Sequence, residues 1–176
     1  EGEDGKIVYR NGAKDTDLIC VSGGLGAAYM GLQLLEREMI ATKGQTDFQP
    51  RFGGKEYIIE RQLKPEARKD IIKILADHNI LPTAMMDVSD GLSSELIHLC
   101  RQSGTGCRIY EERIPIDYQT AAMAEEMNLN VTTVAMNGGE DYELVFAVPL
   151  EMHERLQQID GIRIIGHMTK PELGCA

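Results

Sequence analysis

Between Ala84 and Leu99 the chain changes its hydrophobic period abruptly. Ala84-Met85-Met86-Asp87-Val88 is an apolar run of strand length, and from Leu92 the residues Leu92, Leu96 and Leu99 recur at helical spacing. Only Ser89, Asp90 and Gly91 separate the two patterns, so a strand must turn almost directly into a helix. That turn carries two carboxylates and a hydroxyl within four positions: Asp87, Ser89 and Asp90. A second run, Gly138-Gly139-Glu140-Asp141-Tyr142-Glu143-Leu144, sets two glycines and three acids just before another apolar strand. Acidic groups gathered this closely repel one another, and a fold that collects them commonly supplies a cation.

The same alternation of periods runs through the rest of the chain. Strands are expected at residues 6–9, 17–22, 84–88, 106–111, 144–148 and 162–166. Helices are expected over residues 27–40, 55–62, 117–127 and 150–158, and from the 84–88 strand to about residue 102, where Ser103-Gly104 stops it. Another helix is expected to begin at Pro65, with Ala67, Ile71, Ile72 and Leu75 as its apolar stripe. Residues 42–54, with Gly44, Pro50, Gly53 and Gly54, read as a loop. Strands interleaved with helices predict an α+β fold with α/β layers: one domain over residues 1–176, its mixed sheet covered by helices. A chain of 176 residues with 43% hydrophobic content can bury one sizeable core.

The bulk properties exclude several classes. A formal net charge of -10 argues against nucleic acid as a partner, because phosphate backbones are held by clustered Lys and Arg. It does not argue against ATP, whose charge a divalent cation offsets locally. No apolar run reaches the roughly 20 residues that span a bilayer. The start, Glu1-Gly2-Glu3-Asp4, lacks the basic and apolar regions of a signal peptide, so a cytoplasmic protein is expected. Cysteines stand at 20, 100, 107 and 175; none forms a CxxC pair, and buried reduced thiols are expected rather than a zinc site. The histidines at 78, 98, 153 and 167 each sit alone, and none has a catalytic partner in sequence.

Each chemical motif has a plain structural use beside its functional one. Asp87 and Asp90 can converge on a hard cation such as Mg²⁺, with the following helix N-terminus facing phosphate oxygens. Alternatively, Ser89 or Asp90 caps the helix and Asp87 sits in an ordinary turn. Gly138 and Gly139 let backbone approach a ligand, and Glu140 can accept from an amino group; the alternative is a simple turn before the strand. Arg10 offers a fork that suits phosphate, or a solvated charge. Ser22-Gly23-Gly24-Leu25-Gly26 is a tight strand-to-helix turn and not a Walker A loop, since no Gly-Lys-Ser/Thr follows.

Taken together, Arg10-Asn11-Gly12-Ala13-Lys14, Asp17 to Gly23, Asp87 to Leu92, Ile114-Pro115 and Gly138 to Leu144 resemble the thiamine-monophosphate kinase family. The likeness is collinear and covers nearly the whole chain, but only the C-terminal half of the family's usual length. It implies the C-terminal fold of the superfamily that includes aminoimidazole ribonucleotide synthetase. It also implies ATP-dependent phosphorylation of thiamine monophosphate to thiamine diphosphate. By this resemblance Asp87 and Asp90 bind Mg²⁺, Arg10 and Ser89 contact ATP, and Glu140 contacts thiamine monophosphate. An N-terminal domain with further metal-binding aspartates, a homodimer and a substrate-contacting aromatic beyond Ala176 are implied as parts of the whole enzyme. Thr16 departs from the family, which usually has glycine there. Two other readings stay open: another ATP-dependent synthetase of the superfamily, and a non-catalytic nucleotide-binding or assembly module.

Overall fold

The computed structural model describes residues 7–43 and 52–176. Five strands among these residues form one sheet: β1 (Leu18–Ser22), β2 (Ala84–Val88), β3 (Gly106–Ile109), β4 (Glu143–Val148) and β5 (Ile162–Thr169), in the order β2-β4-β1-β5-β3. All four strand pairings are antiparallel. The parallel contact among the described residues is an isolated bridge between Cys107 and Cys175. Among the described residues seven helices pack on or beside the sheet: α1 (Ala27–Thr42), α2 (Glu56–Leu63), α3 (Lys69–Asp77), α4 (Leu92–Ser103), α5 (Tyr118–Glu126), α6 (Val131–Asn137) and α7 (His153–Leu156).

The strand period of two sorts the core. In β1 every residue is buried, and alternate side chains serve opposite faces. Ile19 and Val21 join Val145 and Ala147 of β4 against Leu92, Leu96 and Leu99 of α4. Leu18 and Cys20 join Phe146 and Val148 against Ile71 and Leu75 of α3 and Leu156 of α7. A third cluster forms beside the sheet, where α1, α2, α5 and α6 meet through Met30, Leu34, Ile58, Met123 and Val134. Phe146 is wholly buried at the centre, where truncation to alanine costs about 3–5 kcal/mol.

Several boundaries differ from the sequence expectation. Residues 7–9 are not a strand, although the Tyr9 carbonyl accepts from Met85 N–H at 3.0 Å; residue 6 lies outside the described residues. The helix expected from Pro65 starts at Lys69. Its inward side is Ile71, Ile74 and Leu75, and Ala67 and Ile72 are exposed. The strand expected to reach 111 stops at Ile109, and Glu111–Arg113 form a 3-10 turn. Helix α6 was not expected; Asn130 caps it through the Thr133 N–H at 2.8 Å. Most of the 42–54 loop lies outside the described residues.

Thr16, standing where the family usually has glycine, has φ of 75°. That left-handed conformation is the one glycine adopts without penalty, and a β-branched residue adopts it only under strain. The turn survives because Thr16 N–H donates to the Met168 carbonyl at 3.0 Å and Asp17 N–H to Lys14 at 3.1 Å.

The cysteines follow the expectation of buried free thiols at three of their four positions. Cys20, Cys100 and Cys107 are buried free thiols and Cys175 is an exposed one. Cys100, Cys107 and Cys175, however, come together at the β3 edge of the sheet, with their sulfur atoms all within 4.8 Å of one another. Cys175, distant in sequence from the other two, meets them there because α4 leads into β3 and the C-terminal residues lie against that strand.

Candidate functional site

The strand-to-helix turn after β2 and the Gly138–Leu144 run are joined by backbone. Glu140 N–H donates to the Ser89 carbonyl at 2.7 Å and Tyr142 N–H to the Val88 carbonyl at 2.9 Å. Below them β2 and β4 pair in register, Val88 opposite Glu143 and Asp87 opposite Leu144. Gly139 sits at φ of 70°, and a Cβ on it would lie 2.7 Å from the Ser89 carbonyl oxygen. Only glycine allows so close an approach, so this residue permits the two motifs to touch.

Three carboxylates face outward from this junction. Asp87, Asp90 and Glu140 are exposed. They share one neighbourhood. The Tyr142 hydroxyl donates to Glu140 Oε2 at 3.2 Å, and its pKa is raised first by that hydrogen bond and then by the charges of Glu140, Asp87 and Asp90. Among the described residues, neither the Asp87 nor the Asp90 carboxylate accepts a hydrogen bond. The helix cap does not use them either. Gly91 is the N-cap of α4, and Glu95 reaches back to accept from Asp90 N–H at 3.2 Å. Ser89 is half-buried, with its carbonyl committed to Glu140.

The other two acids of the second motif point the opposite way. Asp141 is buried and accepts from Gly26 N–H at 2.7 Å and Ala28 N–H at 3.2 Å. It therefore supplies, from across the fold, the acid that the first turn of α1 lacks. Burial pushes the Asp141 carboxyl up to about 6, against the pull of those two N–H donors and of Arg61. Because Asp141 already occupies the start of α1, the glycine loop before that helix is a turn and not a phosphate cradle.

Glu143 is the centre of a buried clamp. Ser22 Oγ donates to its Oε2 at 2.5 Å, Arg61 pairs with its Oε1 at 2.7 Å, and Arg68 pairs with its Oε2. Arg61 also donates to the Asp141 carbonyl at 2.5 Å. Arg61 lies on α2 and Arg68 just before α3, so Glu143 ties both helices to the sheet. These arginines were not singled out from sequence. Both fall within expected helices, where an arginine reads as a solvated charge, and only the folded pairing reveals them.

Arg10 is exposed and follows Tyr9, whose carbonyl accepts from Met85 two residues before Asp87, but it lies toward the other end of α4. Its carbonyl accepts from Ser103 Oγ at 3.4 Å, at the C-terminal end of α4, whereas Asp90 adjoins the N-terminal end. A cleft of about 810 Å³ lined by Arg113, Ile116, His153, Asp160 and Arg163 contains none of the three exposed acids, which lie on an open face.

A family model described as the C-terminal domain of AIR synthase related proteins matches residues 14–172. The chain belongs to that family. Among curated relatives, thiamine-monophosphate kinase of Aquifex aeolicus is 32% identical over 97% of this chain and 55% of its own length. The enzyme of the same name from Escherichia coli K12 is 35% identical over 82% of this chain and 41% of its own length. The chain thus spans about half the length of the curated relatives it matches. Among solved structures, AaThiL complexed with AMPPCP and TMP superposes with a TM-score of 0.79 at 33% identity, over 96% of this chain and 50% of that one. The hydrogenase maturation protein HypE of E. coli, at 20% identity and a TM-score of 0.62, covers 93% of this chain and 47% of its own and shares the fold alone.

The fold class read from the sequence is that of this family. Asp87, Asp90 and Glu140 are all exposed around this one junction, with Ser89 in the turn, but as a trio their carboxylates do not lie within 4.8 Å of one another.

Proposed function

We propose that this chain is the C-terminal, ATP- and substrate-binding half of a two-domain enzyme that transfers the γ-phosphoryl group of ATP to thiamine monophosphate. The observation that carries the reading is the outward carboxylate group of Asp87, Asp90 and Glu140, set on a family member whose kinase relatives share about a third of its residues. Among the described residues Asp87 and Asp90 spend no carboxylate lone pair inside the fold and Glu140 accepts only from Tyr142, which leaves all three able to take an external cation or donor.

Asp87 and Asp90 are a hard-oxygen pair of the kind Mg²⁺ uses when it binds through one or two carboxylates and substrate phosphates. When bound, the ion would neutralise charge on the transferring phosphate. Ser89 and Arg10 are assigned to ATP. Ser89 is held between the two aspartates by the backbone of Glu140, and Arg10 supplies a guanidinium for phosphate oxygens. Glu140 is assigned to the thiamine end, where its carboxylate accepts from the aminopyrimidine amine. The Tyr142 hydroxyl, hydrogen-bonded to Glu140, orients that carboxylate.

The preceding domain would provide the remaining metal ligands and the contacts of a homodimer. Among the described residues no helix is long and apolar enough to cross a membrane; a cytoplasmic location is part of this proposal.

Glu140→Gln in the whole enzyme is expected to raise KM for thiamine monophosphate about tenfold while leaving KM for ATP within about twofold. Equal weakening of both would reassign Glu140 to the metal or the frame, and no weakening would remove it from the site.

A further inference from the structure

The thiol cluster at the β3 edge belongs to no part of the site above. Cys100 lies in the last turn of α4, Cys107 in β3, and Cys175 in the segment that bridges to β3. That segment is fixed by backbone: Cys107 N–H donates to the Gly174 carbonyl at 2.9 Å, Ala176 N–H to the Cys107 carbonyl at 2.9 Å, and Ile109 N–H to the Ala176 carbonyl at 2.7 Å. Gly106 makes room for it, since a Cβ there would fall 2.2 Å from the Gly174 oxygen. Thr105, two residues before Cys107, has a buried hydroxyl oxygen without a hydrogen-bond partner.

We propose that Cys100, Cys107 and Cys175 form a binding site for a thiophilic metal ion of the Zn²⁺ class. Soft thiolates select such ions over Mg²⁺. With zinc–sulfur bonds of about 2.3 Å, tetrahedral ligation needs sulfurs roughly 3.8 Å apart. Sulfurs within 4.8 Å reach that by moving roughly half an ångström each toward their common centre. Cys100 and Cys107 are buried and form the floor; exposed Cys175 forms the mouth and leaves the fourth position to solvent. Binding releases the thiol protons to solvent and forms metal–sulfur bonds, with no change of oxidation state. A disulfide would use only two of the three converging sulfurs and leave the third unexplained.

The test is a Zn²⁺ titration of the purified, fully reduced protein under anaerobic conditions, against a competing chromophoric chelator. One equivalent is expected to bind with proton release, and Cd²⁺ in its place is expected to give a thiolate-to-metal charge-transfer band. Cys175→Ser, at an exposed position, is expected to keep the thermal melt and weaken the metal at least about 100-fold. Cys20→Ala, at the thiol outside the cluster, is expected to bind as the parent does. Absence of the charge-transfer band, or Zn²⁺ affinity unchanged in Cys175→Ser, would overturn the site. A Cys107–Cys175 or Cys100–Cys107 disulfide in protein that binds no metal would replace it with a redox role.

Discussion

The two motifs hold five acids that the structure divides into an outward set and an inward set. Asp87, Asp90 and Glu140 are exposed and spend no carboxylate oxygen on capping a helix. Asp141 and Glu143, one and three positions after Glu140, are buried and fully engaged. The local backbone makes the split. Glu140 and Tyr142 both have positive φ, at 61° and 51°, so consecutive side chains are thrown to opposite sides of the junction. A buried carboxylate must be answered by fixed donors, because desolvation is otherwise ruinous. An outward one can wait for a ligand. The inward acids therefore build the frame, and the outward ones are left for chemistry.

The sharpest way to break this division is to remove Glu143. Glu143→Ala leaves two half-buried arginines without their carboxylate at once, and a loss of about 3–5 kcal/mol in unfolding free energy is expected from urea melts. Arg61 and Arg68 keep 16% and 19% of their side chains exposed, so the lower end is expected. A loss below about 1 kcal/mol would mean that the clamp is ornamental and that burial does not sort these acids.

Asp141 tests the same idea through pH. Its carboxyl titrates at about 6 in the folded protein, above its ordinary value of 3.8. The folded chain therefore holds a proton that the unfolded chain has lost between these two values. The stability this proton adds is fully present below about 3.8 and is lost as pH rises through about 6, by roughly 2–3 kcal/mol. Subtracting the pH profile of Asp141→Asn from that of the parent is expected to show this slope and no other. A slope of opposite sign would mean that the two N–H donors outweigh burial.

The smallest stability effect belongs to the outward set. In the whole enzyme, Asp90→Asn is expected to lower kcat/KM by at least about tenfold and to change unfolding free energy by less than about 0.5 kcal/mol. If the melt falls and turnover holds, Asp90 belongs with the inward acids.

Much of this could be read in the residues. The switch at Ala84 to Leu92 located β2, the turn and α4, because a five-residue apolar run closed by Ser-Asp-Gly is of strand length and the leucines after it recur at helical spacing. Asp87, Asp90 and Glu140 were legible as candidates from residue type, though spacing could not say which acids would face outward. Asp141 and Glu143 are the same kind of acid as Glu140 in sequence, and the left-handed backbone at Glu140 and Tyr142 decides which way each one points. Arg61, Arg68 and the three cysteines were illegible for one reason: their partners lie 75 or more positions away, or on other elements, and spacing reports only neighbours along the chain. Pro65 misled because an apolar stripe and a good first-turn residue were read as one helix, whereas residues 65–68 carry Arg68 across to Glu143.

The Glu143 clamp also bears on the order in which the chain assembles. It joins segments separated by 121, 82 and 75 residues, through Ser22, Arg61 and Arg68. Contacts of that separation close large loops, and their entropy must be met before any of them rewards the chain. The clamp can shut only after β1 and β4 are paired and α2 and α3 have come down on the sheet. It acts as a latch fastened last, so weakening it is expected to quicken unfolding while leaving the refolding rate nearly untouched. The latch thus governs how long this domain, once folded, stays folded.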